Sequence, residues 1–244
     1  MNQDQSLKYG MFLMPIHNPA KSKSQCYDED LELISLCEQW GFEEAWVGEH
    51  HSGGWETIAS PEVFIATAAG RTKHIRFGTG VVSLPYHHPY MVANRMVLLD
   101  HLTRGRVMLG VGPGALASDA YMLGIDPTTQ RTRMDEALGI ILRLMKETEP
   151  ISYKSEWFTL KEALVQVRPY TVPHMPIAVA ASQSPAGMVL AGKHGAAVLS
   201  LNAPPGGGPP LSEFWSIAEE TAHKYGHTMN RNEWRLVLPV HLAH

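Results

Sequence analysis

Five short stretches of this chain hold the side chains with the greatest chemical capacity. Glu49-His50-His51 sets a carboxylate beside two imidazoles, and His87-His88 adds two more. Imidazoles titrate near neutrality, so they can move a proton or ligate a metal. Gly110-Val111-Gly112-Pro113-Gly114 offers bare backbone, which lets something flat or charged come close. Gln130-Arg131-Thr132-Arg133 puts two guanidiniums where a helical pattern begins. A helix start is already electropositive, so arginines there point to an anion such as a phosphate. Ala181-Ser182-Gln183-Ser184-Pro185 brings hydroxyls and amides together as a second anion cradle.

Each stretch also has an ordinary reading: a packed histidine, a tight turn, a solvated charged turn, a helix cap. Metal is the weakest of the chemical readings. Neighbours on a strand face opposite ways, so neither histidine pair can chelate one ion. A metal-dependent barrel would show His-x-His after its first strand, where this chain has only His17. The glycine run can be forced into a dinucleotide fingerprint with Asp135, but Pro113 interrupts it and no helix opens directly after it.

Position is what sets these residues apart. Strand-like runs at Tyr9–Met14, Glu44–Gly48, Ile75–Ser83, Val107–Val111, Ile177–Ala181, Ala197–Leu201 and Trp234–Val240 alternate with helical or loop stretches. That alternation predicts βαβ units, a parallel sheet and an α/β fold of the (β/α)8 TIM-barrel type. Such barrels carry their active site at the C-terminal strand ends. His17, Glu49 to His51, Pro85 to His88, Gly112 to Gly114 and Ser182 to Ser184 all follow strand ends, so they should crowd one rim. The pattern further predicts a helix over residues 28–41 with Cys26 before it and a helix capped by Ser60. It also predicts a long loop over 113–129, a hairpin within 151–171 and a mobile loop at Ala203–Pro210. The 244 residues read as one domain. Seven strands do not close a barrel, so the last strand and helix are expected beyond residue 244.

Bulk properties exclude several classes. A net charge of −4 and a pI near 6.3 give no case for nucleic acid or an anionic membrane. No run of apolar residues is long enough to span a bilayer, and the polar start is no secretion signal. Two cysteines, Cys26 and Cys37, suit a reduced, cytoplasmic protein.

The stretches KYGMFLMP, GFEEAWVGEHH, GTGVVSLPYHHP, LLDHLTRGRVMLGVGPG, QRTRMDE and AASQSP followed by AGKHG resemble the bacterial luciferase-like flavin monooxygenases, from Lys8 onward. ASPEVFIA, LPYHHP, GPGALASDAYMLGIDP and LLSL are most similar to the limonene 1,2-monooxygenase type. The resemblance implies a cytoplasmic homodimer using reduced FMN from a separate flavin reductase. O2 then adds at flavin C4a, and a small apolar, terpene-like substrate is oxidised. It makes His50 the catalytic base or hydrogen-bond donor and puts a non-proline cis peptide at Gly80-Val81, next to Thr79, beside the flavin. It assigns Arg131, Ser182, Gln183 and Ser184 to the phosphate. Gly112 stands where luciferase has a reactive cysteine, which implies no light emission and room beside the ring. Met14, His17, Tyr86 and Tyr121, with Trp55, are candidates to line the substrate space, and their lack of fixed charge suits an uncharged molecule. Two alternatives keep the fold: F420-dependent hydride transfer, and a non-catalytic barrel subunit.

Overall fold

The computed structural model describes residues 7–14, 16–181, 184–202 and 210–240. Its strands are β1 (Gly10–Leu13), β2 (Glu44–Val47), β3 (Arg76–Thr79), β4 (Val82–Ser83), β5 (Val107–Gly112), β6 (Ile151–Lys154), β7 (Thr159–Ala163), β8 (Ile177–Ala180), β9 (Ala197–Leu201) and β10 (Trp234–Val237). Its helices are α1 (Lys23–Gln39), α2 (Pro61–Ala69), α3 (Pro89–Thr103), α4 (Ala117–Met122), α5 (Gln130–Lys146), α6 (Ala186–His194) and α7 (Leu211–Lys224). The strands pair in parallel in the order β1-β2-β3-β5-β8-β9-β10, with β4 also on β5. This is a nearly closed βα barrel, and each strand run read from the sequence is found in it. The third run is split into β3 and β4 by a cis peptide at Gly80-Val81, as the resemblance implied. The hairpin is β6–β7, whose Trp157 and Tyr153 donate to Glu136 of α5.

Side-chain alternation sorts the strands into two packed layers. Leu13, Ala45, Val47, Phe77, Val107, Leu109, Ile177, Val179 and Val198 face outward and join the helices in the main core. Trp46, Met108, Ala178 and Leu199 face inward, packed with Phe12 and Val237, and fill the barrel itself. Trp46 needs space that only glycine gives. A methyl group on Gly78 would lie 2.2 Å from the indole, and one on Gly110 would lie 3.0 Å from it. Below Trp46, Arg235 of β10 reaches across the interior to grip Glu44 of β2 with two hydrogen bonds of 2.8 and 2.9 Å. The Trp46 indole N–H gives Glu44 a third, at 2.9 Å. Burial favours the neutral acid at Glu44, but these donors outweigh it and hold the carboxyl below its usual range.

Three local expectations are corrected, each because tertiary contacts override a weak local pattern. Helix α1 begins at Lys23, so Cys26 lies within it; burial of Cys26 and a Tyr27 hydroxyl bond to the Thr57 carbonyl draw in the extra turn. The 113–129 loop contains α4, whose Asp119 and Ala120 are buried. Ser60 does precede α2, but its side chain makes no capping bond. The Ala203–Pro210 loop lies, except for Pro210, outside the described residues.

Gly78→Ala is expected to destabilise the barrel by about 2–3 kcal/mol through overpacking against Trp46. Chemical denaturation measures it, and combination with Trp46→Leu should recover part of the loss.

Candidate active site

The C-terminal rim is floored by very small residues. Gly48, Gly80, Gly112 and Ala180 each stand two residues beyond an inward-facing strand position, just above the Trp46 layer. A point one methyl above Gly48 lies 3.6 Å from the Gly80 carbonyl, 3.7 Å from that of Leu13 and 3.6 Å from Glu56 Oε2. The ends of β1, β2 and β3 thus meet at one place, with room for a methyl above Gly48 but not above Gly80, where Phe12 would lie 2.9 Å from it. Gly112 does not provide that room: a methyl there would meet Val81 Cγ2 at 2.5 Å, so its missing side chain admits the Val81 segment.

Two buried carboxylates organise the histidines. Glu49 is 4% exposed. Its Oε1 accepts from His51 Nε2 and His87 Nε2, each at 2.8 Å, and its Oε2 accepts the Ser83 backbone N–H at 3.0 Å. Burial alone would raise the Glu49 pKa, yet these donors bring it down to about 2. In return, the bond to Glu49 raises His51 above the ordinary imidazole range. Asp119, 2% exposed, is the second carboxylate. It accepts the His51 backbone N–H at 3.3 Å and the Ser52 hydroxyl, and its Oδ2 lies 3.4 Å from His50 Nδ1. Across the ring, His50 Nε2 lies 3.5 Å from Glu56 Oε2. So His50 and His51 diverge as the sequence suggested, but through two different carboxylates rather than strand alternation, since β2 ends at Val47.

Glu49, His51 and His87 bring three potential donor atoms within 4.8 Å of one another, the arrangement a metal would need. The surroundings of His87 argue for a hydrogen-bonded lock instead. Its Nδ1 faces Arg95 Nη2 at 3.4 Å, a group that can only donate. A ligating histidine ordinarily donates from its second nitrogen to an acceptor. Arg95 therefore favours the proton on Nε2, where it bonds to Glu49.

The remaining predicted residues divide. Thr79 is 0% exposed, and its hydroxyl is fully used on Gly110, donating at 2.7 Å and accepting at 2.9 Å. It staples β3 to β5. His17 Nε2 is bonded to Asp30 on α1 at 2.9 Å, which ties the β1 loop to that helix. The Tyr86 hydroxyl accepts from Gln130 at 3.0 Å and sits over Gly114. Met14 and Trp55 are exposed on the rim. Tyr121 is 85% exposed, because α4 turns Asp119 inward instead. Arg131 is exposed in the first turn of α5, and Ser184 is half-buried just before α6. The two helices are joined by Lys193 and His194 bonding Asp135 at 2.6 and 2.7 Å. Ser182 and Gln183 lie outside the described residues. Sequence reading missed the roles of Glu56 and Asp119. Their signal was faint: single acids in loops, with no period or motif around them.

The pattern described as luciferase-like monooxygenase matches residues 7–244. This chain belongs to that family. It is 50% identical over 240 residues to 4-hydroxyprotoasukamycin monooxygenase of Streptomyces nodosus subsp. asukaensis, covering 97% of this chain and 65% of that one. It is 50% identical over 236 residues to limonene 1,2-monooxygenase of Rhodococcus erythropolis, covering 96% and 60%. Among solved structures it resembles, at 26% identity and a TM-score of 0.81, the oxygenating constituent of 3,6-diketocamphane monooxygenase from Pseudomonas putida, a type II Baeyer-Villiger monooxygenase in complex with FMN. That match covers 94% of this chain and 66% of the other. The chain thus spans roughly two thirds or less of each of these luciferase-like relatives.

The Glu49 lock has a definite pH signature. Its carboxyl is held from 4.5 down to about 2, so the stability it contributes is present above pH 4.5 and is lost as pH falls through 2. Glu49→Gln is expected to cost on the order of 3 kcal/mol at pH 7. The gap to the wild type should close as unfolding is followed from pH 4.5 towards 2.

Proposed function

We propose that this chain is the oxygenase part of a two-component flavin monooxygenase. FMN, reduced by a separate reductase, binds at the barrel mouth, and one oxygen atom of O2 is placed on a small apolar organic molecule of terpene-like kind. The observation that carries this reading is the meeting of Gly48, His50 and Glu56 at the strand ends where barrel enzymes work, with Gly48 free of any close side chain. A flat ring system needs backbone without side chains, and His50 Nε2 and Glu56 Oε2 add polar groups at its edge. The likeness to an FMN-bound oxygenating constituent supports the same choice of cofactor.

In this reading Arg131 and Ser184, with Ser182 and Gln183, hold the phosphate. Bound there, reduced FMN supplies the two electrons that activate O2. His50 can take up a proton at Nε2 and return it, while Asp119 beside Nδ1 keeps the ring turned toward the mouth. Met14, Tyr86 and Trp55 supply apolar surface, and their side chains help to keep water from the reacting atoms. We read the protein as a cytoplasmic homodimer. Among the described residues no helix is long and apolar enough to cross a membrane, and Cys26 and Cys37 are both buried free thiols.

Tryptophan fluorescence titration tests the cofactor, with Trp55 on the rim and Trp46 beneath it as reporters. Quenching by reduced FMN is expected; quenching by F420 alone would replace this reading with hydride transfer. Arg131→Ala should weaken FMN binding by about 1.5–3 kcal/mol, the scale of a charge-assisted hydrogen bond. An unchanged dissociation constant would remove Arg131 from the phosphate site. His50→Ala should slow oxygenation by about 10² to 10⁴ with a nearly unchanged Tm. If His51→Ala is the inactive variant instead, the roles of the two histidines are exchanged.

A further inference from the structure

Glu56 stands in the rim loop between β2 and α2, beside His50. Its Oε2 is buried and has no hydrogen-bond partner among the described residues. Buried carboxylate oxygens are ordinarily paired, because leaving one bare forfeits the hydration it had in the unfolded chain. The atom lies 3.6 Å from the place a methyl on Gly48 would take, at the point where the ends of β1, β2 and β3 meet.

The imidazole beside it deepens the anomaly. Asp119 Oδ2 faces His50 Nδ1 at 3.4 Å, which favours the imidazole proton on Nδ1. The other nitrogen, Nε2, then presents a lone pair 3.5 Å from Glu56 Oε2. Two acceptors face each other across a distance too long for a good hydrogen bond between them. One donor placed between them would satisfy both.

We propose that Glu56 Oε2 and His50 Nε2 form a two-acceptor socket that takes an N–H or O–H donor from the bound molecule, making Glu56 a ligand-binding residue of this site. The inference rests on the functional reading for its location. Two sources share the chemistry: a ring N–H of reduced flavin, or a hydroxyl of the organic substrate.

Binding measurements on the full chain test it without relying on turnover. The probes are dithionite-reduced FMN under anaerobic conditions, oxidised FMN, a cyclic terpene alcohol and its parent hydrocarbon. Glu56→Leu removes the acceptor and keeps much of the bulk; Glu56→Ala serves if leucine crowds Gly48. Loss of one charge-assisted hydrogen bond should weaken a donor-bearing probe by roughly 10- to 100-fold. Weakening of reduced FMN assigns the donor to the flavin, and weakening of the alcohol alone assigns it to the substrate; either supports the socket. The hydrocarbon should bind both variants as it binds the wild type. Tm should hold or rise in both variants, since an unpaired buried acceptor has been removed. Unchanged affinity for both donor-bearing probes overturns the proposal, as does a lowered Tm in both variants with binding intact. Should the wild type bind neither form of FMN, the functional reading fails, and the socket stands or falls on the alcohol alone.

Discussion

A single tryptophan sets the geometry of this barrel. Trp46 fills the interior between the ion pair below it and the mouth above, and the strand beside it carries glycine at Gly78 so that the indole fits. Phe12, Met108 and Leu199 fill the rest of that level, and an interior packed at crystal-like density leaves no space for a side chain at Gly78. Below, the indole N–H and Arg235 converge on Glu44, which joins the last described strand to the second across the interior. Above, the strands end in small residues, Gly48, Gly80, Gly112 and Ala180, over which the rim loops close. One bulky residue thus separates a structural end of the barrel from a chemical end.

At the chemical end two carboxylates divide the labour. Glu49 is saturated: three donors surround it, and it locks the end of β2 to Ser83 and His87. Asp119 reaches in from α4 and steadies the other histidine, His50, together with the backbone of His51. The difference in saturation sorts the residues by role. Groups already bonded to buried partners within the fold, such as Thr79, His17 and Glu49, hold the frame. The pair left with an unmet need, His50 and Glu56, faces the mouth, where a ligand can meet it. Such incompletely satisfied polar groups are rare in folded proteins and concentrate where function requires them.

The sequence by itself determined the barrel, its strand order along the chain and the rim on which the chemistry sits. Parallel strands buried on both faces must be short apolar runs, and the turns that end them must be polar, so alternation and punctuation were legible without coordinates. The cis peptide at Gly80-Val81 and the family resemblance were legible for the same reason: each belongs to a local stretch of unusual composition. What only the tertiary structure decided were contacts between residues far apart in the chain. Asp119 lies 69 positions from His50, and Glu44 lies 191 from Arg235. Cys26 entered α1 because of packing that no helical period announced. Thr79 and His17 left the candidate site because Gly110 and Asp30 had already taken their polar atoms. A side chain's type shows which bonds it can make, but the partner that claims it is fixed only when the strands close, because hydrogen-bonding capacity is limited and the nearest buried partner takes it.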